Sequence, residues 1–288
     1  MSRIVVQKRT FGALRWVVIA VLIVATVFPF YYMVELSLVP IEQVLLHPER
    51  LWVPLQNLTL QTYAEVLKPQ EQGGQGFAQF MLNSALVAIA AVIITLIVAI
   101  PGSYAVSRLK FFGRRQISSL FLAVYLFPTI IIAIPLFVGF SALGIRESLA
   151  SLVIVYIAQT IPVSIHMLRS YLQSIPESVE EAAMVDGAGR FRILLRITVP
   201  LAMPSIVSTG LYVFMIAWNE FLFALLFLAA DRDLWTVSLG LSQLSNGIEV
   251  SKTVLMAGSV LLTIPIIVLY GLAERSLTDG LTSGADKG

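Results

Sequence analysis

Apolar residues in this chain run in long blocks rather than alternating with polar ones. Stretches free of Asp, Glu, Lys and Arg occupy residues 16–34, 80–107, 116–145, 148–168, 197–219 and 253–273. The fifth resumes after Glu220 and continues to Ala230. A helix rising about 1.5 Å per residue crosses the hydrocarbon core of a bilayer with about 20 residues. Each block is long enough for one crossing and too short for an antiparallel pair, so the pattern predicts six transmembrane helices. Lipid offers the backbone no hydrogen-bond partner, which leaves only helices and closed barrels as spanning structures. Unbroken apolar runs are not the alternating signature of a barrel strand. The predicted class is therefore an all-α membrane protein.

Charge fixes an orientation. With the N-terminus inside, the inner segments hold Arg3, Lys8, Arg9, Arg15, Arg108, Lys110, Arg114, Arg115, Arg169, Arg190, Arg192, Arg196, Arg275 and Lys287. These are fourteen of the 19 basic residues, and only Arg50, Lys68, Arg146, Arg232 and Lys252 fall outside. The bias follows the positive-inside rule and places both termini in the cytoplasm. The first block exceeds the apolar core of a secretory signal and lacks a small-residue cleavage site after it, so it reads as a retained helix.

Composition agrees. The chain of 288 residues is 58% hydrophobic and 12% charged, against roughly 45–50% and about 25% in soluble domains. It contains no cysteine and two well-separated histidines, which excludes thiol catalysis, disulfide frameworks and a histidine-based metal cluster. Three regions follow: residues 1–79 with the first helix and a Pro- and Gly-broken outer segment, a five-helix core over 80–274, and a tail over 275–288. A tight outer turn near residues 144–147 joins the third and fourth spans.

The longest inner loop, residues 172–203, carries the most information. Ser174 precedes Glu177 by three residues, a capping-box spacing with Pro176 in the first turn. Glu177, Glu180 and Glu181 suit the start of a helix, Ala182 and Ala183 leave a small-residue surface, and Gly187 supplies a left-handed stop. A second helix is predicted over 190–199, with Phe191, Leu194, Leu195 and Thr198 on its apolar face. Two short amphipathic helices in an inner loop describe either a docking surface or a pair lying on the membrane.

Glu181-Ala182-Ala183, three residues, Gly187, nine residues, Ile197, one residue, then Val199-Pro200 resembles the EAA signature of permease subunits in binding-protein-dependent ABC importers, with Val199 in place of Leu. Asn83-Ser84, Tyr104-Ala105-Val106-Ser107-Arg108, Trp218-Asn219-Glu220-Phe221 and the tail from Gly280 to Gly288 resemble the carbohydrate class of these permeases, of maltose/trehalose, MalG-like type. Asp286 stands where that class has a small or apolar residue. The resemblance implies a type I ABC importer permease fold. It also implies a second, MalF-like permease subunit, two ATPase subunits that hold ATP and Mg, and an extracytoplasmic solute-binding protein. It assigns ATPase coupling to Glu180, Glu181, Ala182, Ala183, Asp186, Gly187 and Pro200, and an ATPase-contacting tail to Gly280, Gly284 and Lys287. The chain has no G-x4-G-K-[ST] phosphate loop of its own, so no cofactor, no nucleic acid and no enzymatic activity is expected of it.

Glu220 lies deep in the fifth block beside Asn219 and Trp218. An ionisable group at that depth costs roughly 2.5–3.5 kcal/mol on insertion scales. It therefore either lines a polar pathway for a hydroxyl-rich solute or makes an interhelical hydrogen bond. Tyr125 and Gln159 are further pathway candidates. The rival reading is a stand-alone secondary transporter or channel, which would be expected to show internal repeats and coupling charges. A third, an intramembrane hydrolase built on Ser103 and His166, has no local signature.

Overall fold

Helices make up every regular element among the residues that the computed structural model describes, which are 3–47, 52–246 and 251–285. Lys287 and Asp286 lie outside these residues. The chain packs as two units, one of Met1–Phe77 with Gln243–Thr263, the other of Ala78–Ser242 with Ile264–Gly288.

In the first unit, α1 runs Arg3–Ser37. None of the most apolar stretch of its Leu14–Ser37 portion is buried within the chain. The helix is followed by α2 (Ile41–Leu46) and α3 (Gln61–Leu67), each too short to cross a bilayer and punctuated by prolines. Ser37 and Tyr63 share a hydrogen bond of 2.7 Å, and the Thr59 N–H donates to the Leu38 carbonyl at 2.7 Å. Glu35, buried near the end of α1, accepts from the Val53 N–H.

The second unit holds the helices between Ala78 and Ser242 and the part of the last helix after Thr263; the end of the helix Val237–Asn246 and the start of the helix Lys252–Ala285 belong to the first. α4 (Phe77–Arg108) carries Pro101, and α7 (Leu149–Leu172) carries Pro162. Between them the predicted third span is broken into α5 (Arg114–Tyr125) and α6 (Thr129–Ala142). Pro128 is the cause, because the residue before a proline is driven out of the helical region and Pro128 itself stands extended at the head of α6. The turn between α6 and α7 contains Gly144 at φ +68°, as the spacing predicted. After α7 come α8 (Glu177–Val185), α9 (Arg190–Ile193), a π-turn over Leu194–Thr198 and α10 (Val199–Leu201). α11 (Met203–Asn219) leaves α10 at 79°, and α12 (Leu222–Leu228), α13 (Val237–Asn246) and α14 (Lys252–Ala285) complete the chain. Among the described residues, four helical stretches, Leu14–Ser37, Phe77–Arg108, Leu149–Leu172 and Lys252–Glu274, are individually long and apolar enough to cross a membrane, and the bent pair adds a fifth.

Two features set the frame for the inter-helix loop after α7. A core of Ala99, Tyr104, Ile165, Leu168, Leu172, Leu194, Ala202 and Ile206 joins α4, α7, the π-turn and the start of α11 beneath the loop. At the opposite end of α4, the buried Asn83 amide donates to the Asp233 and Trp235 carbonyls at 2.7 and 2.9 Å. Ser84 accepts from the Val237 N–H at 2.8 Å. Gly240 completes this junction. A Cβ built there would lie 2.4 Å from the Phe80 ring, so only glycine lets α13 approach α4 so closely.

Candidate functional site

The loop after α7 begins differently from its predicted capping box. The Ser174 hydroxyl donates back to the Tyr171 carbonyl at 2.7 Å, closing α7, and Pro176 stands at the N-cap of α8 without a side-chain cap. With its hydroxyl used at the end of α7, Ser174 does not cap α8. The other end matches expectation. Gly187 adopts φ +81°, its N–H bonds the Met184 carbonyl at 3.0 Å, and the Ala188 N–H bonds the Ala183 carbonyl at 2.9 Å. These are the paired closing bonds of a Schellman stop.

Neighbouring carboxylates on α8 have opposite fates. Glu180 is buried at 4% exposure. Its carboxylate accepts from Tyr104 Oη at 2.9 Å, Arg108 Nε at 2.9 Å and Thr198 Oγ1 at 3.4 Å. Glu181 is exposed, together with Ala182 and Asp186, while Ala183 is half-buried. One residue along a helix is a rotation of about 100°, since about 3.6 residues make a turn, and here it separates an anchored carboxylate from a presented one. Val179, Met184 and Val185 flank Glu181 with exposed apolar surface.

The second helix of the loop departs from the predicted face. Ile193, Leu194 and Thr198 are buried, whereas Phe191 and Leu195 are 74% and 50% exposed. Leu194 and Thr198 of the predicted face are thus inward, and the buried face is completed by Ile193 instead of Phe191 and Leu195, with the segment Leu194–Thr198 wound as a π-turn. It precedes Pro200, whose ring would strike the Arg196 carbonyl in a regular α-turn. Pro200 itself is exposed.

The pathway candidates do not form one constellation. Glu220 is half-buried and sits at a helix break, not within a continuous fifth helix: its backbone turns extended (φ −66°, ψ 133°). Its carboxylate accepts from the Phe223 N–H at 2.9 Å, the Ala224 N–H at 3.3 Å and Tyr156 Oη at 2.7 Å, satisfying the first turn of α12 and tying it to α7. Its carbonyl accepts from Ser238 at 2.6 Å. Asn219 is exposed and donates to the Met215 carbonyl at 2.9 Å. Trp218 is buried, its ring centroid 5.3 Å from that of Phe214. It borders an apolar groove of about 830 Å³ among α4, α11 and α14. Gln159, half-buried, lines a different groove of about 680 Å³ among α5, α6, α7 and α11, with Thr129 and Tyr212. Tyr125 ends α5, and its side chain lies outside the described residues. Gly280 and Gly284 belong to the backbone of α14.

Sequence reasoning assigned no role to Tyr104, Arg108, Tyr156 and Thr198. The first two had a signal, since a tyrosine and an arginine four apart share one helix face at the end of a span. Thr198 was placed on an apolar face but not as a partner of Glu180, and Tyr156 had no signal, as hydroxyls inside apolar runs are common. Among the described residues no group of His, Asp or Glu is arranged to hold a metal ion.

The chain matches the family described as "Binding-protein-dependent transport system inner membrane component" over residues 91–279. It is 37% identical to the inner membrane ABC transporter permease protein YcjP of Escherichia coli, over 94% of each chain. It is 36% identical to the trehalose/maltose transport system permease protein MalG of Thermococcus litoralis, over 91% of each. Its fold matches a chain of a bacterial ABC transporter involved in import of the acidic polysaccharide alginate, with a TM-score of 0.79 at 23% identity, covering 96% of this chain and 98% of that one.

Proposed function

This chain belongs to the family of inner membrane components of binding-protein-dependent transport systems and is a multi-pass protein of the inner membrane; from that premise we propose that it is the non-catalytic permease subunit of an ATP-driven sugar importer. Its membrane partner is a second, MalF-like permease. Two ATPase subunits hold ATP and Mg, and an extracytoplasmic binding protein delivers the solute. A disaccharide, oligosaccharide or related glycoside is the cargo class. The names of the trehalose/maltose relative and of a trehalose permease from Mycobacterium tuberculosis, 30% identical over 95% of this chain, support it. Six crossings use α1, α4, the broken pair α5–α6, α7, the α11–α12 pair and α14, with both termini in the cytoplasm.

Transport proceeds by alternating access. ATP binding closes the ATPase pair, α8 moves with it, and the permease pair opens toward the loaded binding protein, so nucleotide and solute sites bias one two-state element. Asn219 and Gln159 offer amides to a hydroxyl-rich solute, while Glu220 holds the break that leaves Asn219 exposed. Contact of the tail with the ATPase pair falls to Gly280, Gly284 and Lys287.

The observation that carries the coupling role is the exposed Glu181, flanked by small and apolar side chains on a helix anchored from behind by Glu180. A carboxylate so presented fits a basic groove. Truncating one member of a buried, hydrogen-bonded charge pair costs about 2–5 kcal/mol of binding, and about 1.4 kcal/mol is tenfold in affinity. Glu181→Ala should therefore weaken ATPase attachment more than tenfold, and Glu181→Lys, which adds like-charge repulsion, should abolish it. The permease should still insert and pair with its membrane partner. ATPase co-purification, with hydrolysis stimulated by loaded binding protein in vesicles, measures both. Wild-type values in Glu181→Lys would overturn the coupling role of this loop.

A further inference from the structure

Arg108, the last residue of α4, directs its guanidinium into the chain. Its side chain is 5% exposed, as is that of Glu180. Nε donates to the Glu180 carboxylate at 2.9 Å, and Nη2 donates to the Leu172 and Ile175 carbonyls at 2.9 and 2.7 Å. Nη1 reaches the exposed Glu177 at 3.5 Å. One turn earlier on α4, Tyr104 donates to the other oxygen of Glu180. One fork thus joins the end of α4, the last carbonyls of α7 and the inner face of α8. Thr198 of the π-turn is bonded to the same carboxylate.

The backbone alone does not provide this rigidity. α8 hangs between the four-residue link 173–176 and the segment Gly187-Ala188-Gly189, and glycine is the most permissive residue at such a joint. What fixes the angle of α8 against the spans is the buried cluster of Arg108, Glu180, Tyr104 and Thr198. A planar fork suits this geometry and a lysine does not, because one ammonium cannot address a carboxylate and two carbonyls in fixed directions.

We propose that Arg108 is a positioning residue that locks α8 to the ends of α4 and α7, so that a displacement received at Glu181 moves the spans instead of bending the loop. The proposal rests on the coupling role of α8 given above. Buried charge pairs are costly to assemble and costlier to break, and this one sits where a flexible joint would dissipate the stroke.

The test uses the whole complex in nanodiscs, with Thr129→Cys, exposed in the groove among α5, α6, α7 and α11, as a reporter in the otherwise cysteine-free chain. Its labelling by a maleimide is timed without nucleotide and with ATP, Mg and vanadate. Arg108→Gln combined with Glu180→Gln removes both charges together, so no unpaired charge stays buried. This variant should assemble and retain the ATPase, because the Glu181 face is untouched, yet lose the nucleotide-dependent change in labelling by about fivefold or more. Arg108→Lys, which keeps the charge but not the fork, should lie between. A full nucleotide response in the double variant, or its failure to assemble, overturns the proposal. A control lacking any response in the Thr129→Cys complex, or with ATPase still bound in Glu181→Lys, would instead overturn the alternating-access and coupling reading, which separates the two failures.

Discussion

Glu220 shows what a carboxylate far from any span end is for in this chain. Three donors converge on it: two backbone N–H groups at the start of α12 and the Tyr156 hydroxyl. Leaving a buried donor unpaired costs about 1–3 kcal/mol. Glu220→Gln keeps an acceptor for Tyr156 and should preserve assembly, whereas Glu220→Ala should lower the thermal stability of the detergent-solubilised protein. Equal melting temperatures for the two variants would contradict the bracing role. The sequence left pathway and bracing equally open because depth in an apolar run says that a partner exists, not which one. Glu180 and Glu181 are told apart in the sequence only by the EAA spacing, which starts at Glu181, and not by helix propensity. On an isolated short helix both suit the first turn, and only α4 decides which one is buried. Asn83 and Ser84 were legible as a motif but not as a junction, since their partners lie about 150 positions away.

Local stereochemistry decides the short elements, and there the sequence was read best. Gly187 was placed as a left-handed stop from its position alone, and it adopts φ +81° with open space around its Cβ direction. Any penalty on substitution is therefore backbone strain, not a clash, at about 1–3 kcal/mol for a residue that resists this region. Gly187→Val should impair the attachment of the ATPase, whereas Gly187→Asn should retain most of it, because asparagine tolerates the left-handed region. Pulling down the ATPase with each variant checks this, and indistinguishable yields would show that the stop is dispensable. The helix after it was misread because the helical period was assumed to be unbroken. Ile193 takes the inward place given to Phe191 and Leu195, and the π-turn ahead of Pro200 leaves no trace in the periodicity. The Pro128 break between α5 and α6 was visible as a proline, but whether it kinks or interrupts a helix depends on its surroundings.

At the scale of the whole molecule, block length made the all-helical membrane fold legible, because the bilayer constrains every crossing in the same way, while charge bias supplies the orientation proposed for it. The proposed orientation, with both termini in the cytoplasm, puts Lys252, exposed at the start of α14, on the outer side. A Lys252→Cys variant should react with a membrane-impermeant thiol reagent in spheroplasts of intact cells, without background since the chain has no cysteine. Reaction only after lysis would invert the orientation. α1 has a different consequence. The most apolar part of its 24-residue span Leu14–Ser37 buries none of its residues against the rest of the chain, so its partition into lipid is decided by its own side chains. During synthesis this helix has nothing to wait for. It is free to leave the translocon for the bilayer before any later span has been made, and it tethers the growing chain to the membrane while the remaining helices find one another.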